Sequence, residues 1–263
     1  MRMDNGGHVH FLPLAILLTA LAGFFVCPGA AVAADATATT EPTAAPAPPL
    51  ERTPADAVTP TTPRSLIRHE QFLYRIKEGD IGLLFLGDSI TDFWPRTGEY
   101  SWLKFAPYDP ADFGVSGEHT EHVLWRITHG ELDGIHPKVV VLMIGTNNIG
   151  HTPPDEPEWA AAGVAKIVAT IREKLPDSKI LLLGVFPRDT PGSVHRDAVE
   201  KINAIICHLD DGKMIRYLDI GKVFLDPDGN IPFDIMRDKL HPTGEGYDRW
   251  YDAMHPLLEE MMK

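Results

Sequence analysis

Ile81-Gly82-Leu83-Leu84-Phe85-Leu86-Gly87-Asp88-Ser89-Ile90 runs from an apolar stretch into a glycine, a carboxylate and a hydroxyl, and its reading decides the fold. Residues 81–86 are too few for a helix and too uniformly apolar for a strand with one wet face, so they read as a strand buried on both faces. Residues 139–144 and 180–185 repeat the pattern. Helical periodicity follows each run. Val164, Ile167, Val168, Ile171 and Leu175 share one face, and Ala198, Ile202, Ile205, Ile206 and Leu209 another. Tyr247, Trp250, Tyr251, Met254, Leu258 and Met261 keep a single stripe to the C-terminus, while residues 119–129 make a shorter helix that stops at Gly130. Strands alternating with helices predict a doubly wound parallel sheet. Weaker strands at 111–113 and 214–218 bring the total to five, and the expected architecture is three-layer α/β/α with the flavodoxin-like order 2-1-3-4-5. In that order the carboxyl ends of strands 2, 1 and 3 adjoin, so the loops after them are expected to hold the chemistry.

Those loops contain Gly87-Asp88-Ser89-Ile90, Gly114-Val115-Ser116-Gly117 and Gly145-Thr146-Asn147-Asn148. Ser89 is expected on a strand-to-helix turn, where its own N–H and the helix N-terminus face a developing negative charge. Gly117 can present a bare N–H and Asn147 an amide, so Ser89, Gly117 and Asn147 together form a candidate oxyanion hole beside a nucleophile. A serine hydroxyl needs a general base. Of the ten histidines from residue 64 onward, His241 stands out, because it lies in Asp238-Lys239-Leu240-His241-Pro242-Thr243 just before the last helix. A carboxylate three residues earlier can accept its Nδ1 proton and leave Nε2 for Ser89, so the expected catalytic residues are Ser89, Asp238 and His241.

Composition bounds the remainder. The chain has 263 residues with a formal net charge of −13, which repels phosphate backbones and excludes a nucleic-acid partner. A 16-residue apolar run at 11–26, followed by Ala31-Val32-Ala33, fits a signal peptide over residues 1–33 with cleavage near Ala33; an uncleaved membrane anchor is the lesser reading. From Ala34 to Pro63, 23 of 30 residues are Ala, Thr or Pro, a composition expected to stay disordered as a linker, either a passive spacer or an extended arm that holds the domain away from a membrane or wall surface to which the leader keeps it close. Residues 64–263 then form one domain, exported to the periplasm or medium, with Cys207 its only cysteine and no internal disulfide.

Four ordered blocks, Gly87-Asp88-Ser89-Ile90, Gly117, Gly145-Thr146-Asn147-Asn148 and Asp238-x-x-His241, resemble the SGNH (GDSL) hydrolase family. The stretches 122–126, 130–132, 136–138 and 145–151, with Leu240-His241-Pro242-Thr243 and Gly246-Tyr247, look like the catalytic subunits of isoform I platelet-activating-factor acetylhydrolase. The resemblance implies the SGNH hydrolase fold and a serine esterase favouring short acyl groups, with no metal and no organic cofactor. The acetylhydrolase subunits pair, which leaves a homodimer open here. Glu118 departs from the family's pattern, which carries Asp after the glycine, and puts only the local turn in question.

The leading expectation is therefore a secreted esterase of short, acetyl-type esters, acting on a small-molecule or polysaccharide acyl ester. The alternatives are a carbohydrate acetylesterase and a catalytically silent binding module on the same fold. Three further features are given structural readings. His119-Thr120-Glu121-His122 lacks the i,i+4 spacing of a helical zinc pair. The stretch 226–230 reads as a turn rather than a calcium loop, and Arg188 as a solvated loop residue rather than a contact for an anionic substrate group. Trp94, Tyr100 and Trp102 are candidates either for a substrate pocket or for aromatic packing.

Overall fold

The structure, a computed structural model, describes residues 63–263. The expected signal peptide and all of the expected linker except Pro63 lie outside the described residues; Pro63 itself opens helix α1 (Pro63–Lys77), where its missing N–H is not needed. Five strands, β1 (Leu83–Gly87), β2 (Pro110–Gly114), β3 (Val139–Met143), β4 (Lys179–Leu183) and β5 (Ile215–Leu218), form an all-parallel sheet in the order β2-β1-β3-β4-β5. That is the expected order. Each crossover is helical: α2 (Ser89–Asp92), α3 (Trp94–Thr97) and α4 (Glu99–Leu103) after β1, α5 (Thr120–Thr128) after β2, α6 (Thr146–Gly150) and α7 (Pro157–Lys174) after β3, and α8 (Val194–Ile206) after β4. Helix α9 (Gly244–Met262) closes the chain. Among the described residues no helix is long and apolar enough to cross a membrane.

Strands β1 and β3, and β4 after Lys179, are apolar because alternate side chains enter two different cores. Leu84, Leu86, Val140, Leu142, Ile180 and Leu182 meet α5, α7 and α8, with Phe72 of α1 at the edge. Leu83, Phe85, Val139, Val141, Leu181 and Leu183 meet α2, α3 and the stripe Tyr247, Trp250, Met254, Leu258 and Met261 of α9. One expected core position is corrected: Ile205 is 42% exposed, and Val199 joins Ile202 and Ile206 in the buried stripe of α8, at the spacing a 3.6-residue period requires. Of the two readings open for Trp94, the structure decides for aromatic packing in the core. Trp94 is wholly buried, with ring centroids 4.0 Å from Trp250, 5.2 Å from Phe105 and 5.4 Å from Phe85, whereas Tyr100 is exposed.

Register sets the working edge. Gly87 pairs with Gly114 on one side and Met143 on the other, so β2, β1 and β3 end level and their loops leave together. Two of these ends are glycine for steric reasons. A Cβ on Gly87 would lie 2.5 Å from the Met143 carbonyl oxygen, and one on Gly114 would lie 2.3 Å from the Asp92 nitrogen.

Candidate active site

The turn after β1 folds because Asp88 caps α2, its Oδ1 accepting the Ile90 N–H at 3.0 Å. Ser89 is thereby held at the first position of that helix, nearly buried. The other strand of the arrangement comes from the segment before α9. There Lys239 adopts a left-handed φ of +60°, and the Leu240 and His241 N–H groups both reach Asp238 Oδ1, at 3.1 and 2.8 Å. This turn brings the imidazole back over its own carboxylate: His241 Nδ1 lies 2.6 Å from Asp238 Oδ2, and His241 Nε2 lies 2.9 Å from Ser89 Oγ. Partial burial pulls the Asp238 carboxyl upward, but the hydrogen bonds from the His241 ring and from the two N–H groups outweigh it and hold the pKa below the usual carboxylate range. Phe93 covers the imidazole, ring centroids 5.2 Å apart, and Tyr247 of α9 donates its hydroxyl to the Ile90 carbonyl at 2.7 Å, fastening the last helix to the turn that carries Ser89.

The candidate oxyanion donors come from the loops after β2 and β3. Gly117 has a φ of +82° with nothing within 4 Å of a notional Cβ, so glycine is needed there for its backbone conformation, not for space. Asn147 donates one amide N–H to the Glu118 carbonyl at 2.9 Å, which fixes the amide plane against the Gly117 loop and leaves its second N–H. Among the described residues the Ser89 and Gly117 N–H groups have no protein acceptor. The arrangement can therefore place a nucleophile, a base and three N–H donors around one carbonyl group.

The model of the GDSL-like Lipase/Acylhydrolase family matches residues 85–249. The alpha2 subunit of platelet-activating factor acetylhydrolase IB from Rattus norvegicus is 34% identical over 201 residues, covering 76% of this chain and 86% of that one. The human alpha1 subunit is 32% identical over 218 residues, covering 81% and 92%. The chain belongs to the GDSL-like lipase/acylhydrolase family. Solved structures share the family fold at low identity: a GDSL-like lipase from Bacteroides thetaiotaomicron (TM-score 0.61, 19% identity, 73% and 97% covered) and an acetylxylan esterase from Geobacillus stearothermophilus (0.55, 18%, 70% and 96%).

Several parts of this acylhydrolase site were not visible in the sequence. Behind the Gly117 loop, Glu118 is buried and receives Arg126 Nε at 2.7 Å; Arg126 also donates to Glu131 and, at 3.1 Å, to the Phe113 carbonyl, and His69 Nδ1 lies 2.8 Å from Glu131. Burial disfavours the Arg126 charge, but Glu131 and Glu118 more than offset it and raise its pKa. The departure at Glu118 thus supplies a buried anchor for the loop, matched to a buried arginine. Arg188 is corrected from a solvated residue: its Nη1 donates to the Thr146 carbonyl at 2.9 Å and to Thr146 Oγ1 at 3.2 Å, beside Asn147. His119, Glu121 and His122 offer ligand atoms within 4.8 Å of one another, but His122 Nδ1 accepts the His119 N–H at 3.0 Å and is committed to the helix start. The stretch 226–230 is a turn closed by Asp226 Oδ1 on the Asp228 and Asn230 N–H groups, at 3.0 and 2.8 Å.

Proposed function

We propose that the chain is a serine esterase that hydrolyses short-chain, acetyl-type esters through an acyl-serine intermediate. The single observation that carries this reading is the hydrogen-bonded line from Ser89 Oγ through His241 to Asp238, at 2.9 and 2.6 Å. The acetylhydrolase relatives support the short acyl group. His241 takes the Ser89 proton as Oγ bonds to the ester carbonyl, and Asp238 stabilises the imidazolium. The oxyanion rests on the Ser89 and Gly117 N–H groups and the Asn147 amide. The carbonyl then re-forms, the bond to the alcohol oxygen breaks, and His241 returns the proton to that oxygen. Water, deprotonated by His241, releases the acid and regenerates Ser89.

The test is hydrolysis of p-nitrophenyl esters from acetyl to octanoyl, with Ser89→Ala as control. Fastest cleavage of the acetate and a folded, inactive variant are the expected results. A variant that retains activity removes Ser89 from the role. If neither protein cleaves any ester, a binding module on the acylhydrolase fold is the better reading.

A polysaccharide acetylesterase is the second reading, favoured by the apolar stretch 11–26 and the Ala/Thr/Pro-rich stretch after it, which suit an exported enzyme on a spacer. Acetylated xylan against a soluble acetyl ester separates the two. Export itself, with cleavage near Ala33 and a catalytic domain from residue 64, is proposed on the sequence alone. Mass spectrometry of the mature N-terminus tests it: a chain that still begins at residue 1 speaks for an uncleaved anchor.

A further inference from the structure

Three arginines converge on one carboxylate beside the candidate site. Arg64 and Arg68, one turn apart on α1, and Arg96 of α3 place Nη2 atoms at 3.3, 3.4 and 3.3 Å from the carboxylate oxygens of Asp92. Ser116 donates to the same group at 2.6 Å. Asp92 is buried, and one bidentate arginine would have been enough to pair it. Instead each guanidinium makes one long contact with this carboxylate; Arg68 also donates to the Gly114 carbonyl at 3.3 Å and to Gln71 Oε1 at 3.2 Å, and Arg96 to the Asp92 carbonyl at 3.1 Å. The carboxylate's lone pairs are used up, whereas the side chains of Arg64 and Arg96 are 57% and 59% exposed with their remaining N–H groups unclaimed among the described residues. Asp112 also lies in the field of Arg68 and Arg96, but burial raises its pKa to about 7, so the cluster keeps an excess of positive charge at neutral pH on a chain whose formal net charge is −13.

Its position gives this excess a use. Asp92 lies one helical turn beyond Ser89, and Ser116 precedes Gly117. The Arg96 guanidinium sits over Phe93, 5.3 Å from the ring centroid, and Phe93 in turn covers His241. In an esterase His241 returns its proton to the departing alcohol, so that alcohol lies against the imidazole, one aromatic ring from Arg96. We propose that Arg64, Arg68 and Arg96 form a subsite for an oxyanion, a carboxylate or a phosphate, carried on the alcohol portion of the ester. The subsite deepens the esterase reading above and rests on it. It selects among alcohols and takes no part in the bond-making step.

The test uses the full chain and a matched pair of esters, 3-acetoxybenzoate and its neutral isostere 3-acetoxybenzamide, with 3-acetoxyphenyl phosphate as a third arm. The wild type is expected to favour the benzoate in kcat/KM by at least about tenfold, through KM, and to lose most of that preference in about 0.5 M NaCl. The double variant Arg64→Gln/Arg96→Gln should bring the ratio to within about twofold of unity, and Arg64→Lys/Arg96→Lys should restore part of it. The ratio is read within each protein, so a general loss of activity cancels. A larger preference for the phosphate than for the benzoate identifies a dianion as the natural ligand. A wild-type ratio near one, or a preference that survives in the glutamine variant, overturns the subsite. A chain that cleaves none of the three overturns the esterase reading instead. Calorimetric titration of 3-acetoxybenzoate then decides the subsite separately: binding about tenfold weaker in the glutamine variant upholds it, and equal binding overturns it.

Discussion

Asn147 and Asn148 are neighbours with the same side chain and opposite surroundings. Asn148 is wholly buried: its Oδ1 accepts the Thr120 N–H at 3.1 Å, and its Nδ2 donates to Asp155 at 2.8 Å and to Glu121 at 3.2 Å. Asn147 makes one bond, to the Glu118 carbonyl beside Gly117, and keeps its second amide N–H, the donor proposed for the oxyanion. Truncation of each should therefore fail differently. Asn147→Ala is expected to lower kcat by about 100- to 1,000-fold with a modest change in KM, and to cost no more than about 1 kcal/mol of stability. Asn148→Ala strands a buried N–H and should cost about 1 to 3 kcal/mol in urea denaturation. Equal kinetic losses in the two variants would remove the distinct role given to Asn147.

At the scale of elements, the working edge depends on close approach between strands and on one buried ion cluster. The Gly87 position leaves no room for a methyl group, since a Cβ would lie 2.2 Å from Thr91 Oγ1 and 2.5 Å from the Met143 carbonyl oxygen. Gly87→Ala must move β1 against β3 or displace α2, and with it Ser89. The expected result is a loss of about 1 to 3 kcal/mol on thermal unfolding together with a fall in esterase turnover, because the same shift breaks the alignment with His241. Arg126 holds α5 to the loop after β2 through Glu118, and to the turn after α5 through Glu131. Arg126→Met leaves two buried carboxyl groups without their cation and is expected to cost about 3 to 5 kcal/mol. Adding Glu118→Gln and Glu131→Gln should recover part of that loss, which chemical denaturation of the single and triple variants would measure.

For the whole molecule, two buried carboxyl groups shape stability against pH. Burial pushes Asp88 and Asp112 up to about 7, against the lowering effect of the Ile90 and Gly114 N–H groups, and the Oδ2 atom of each has no partner among the described residues. Both values exceed the roughly 3.9 of an unfolded aspartate. The stability associated with them is therefore full below about pH 4 and is lost as pH rises through about 7. Asp112→Asn mimics the protonated form and keeps an acceptor for the Gly114 N–H. Relative to wild type it should gain about 2 to 4 kcal/mol at pH 8, and the gain should shrink toward pH 4. Thermal unfolding of both proteins across that range is the measurement, and a gain independent of pH would contradict the assignment.

The five-stranded order, the crossover helices and the family blocks were legible in the chain itself because they are written in local pattern. Runs apolar on both faces mark strands buried between two layers, and a 3.6-residue stripe marks the helices that cover them. Ser89, Asp238 and His241 could be named for the same reason, each sitting in a short block whose residue types suit one reaction. Ile205 was misplaced since a stripe read from sequence does not show which of two adjoining apolar residues turns outward. Trp94 was left between pocket and core until its neighbours were known. The hydrogen bond from Ser89 to His241 spans 152 residues, and the meeting of Arg64, Arg68, Arg96, Asp92 and Ser116 joins three helices and a loop. Arg126 with its carboxylates is of the same kind. A charged side chain far along the chain leaves no periodic trace, and its partner is chosen by how the sheet order and register bring distant loops to one edge. Sequence alone determined the layers and the reactive residue types; the tertiary structure decided which charges meet, which of the two asparagines is buried and which aromatic rings are core.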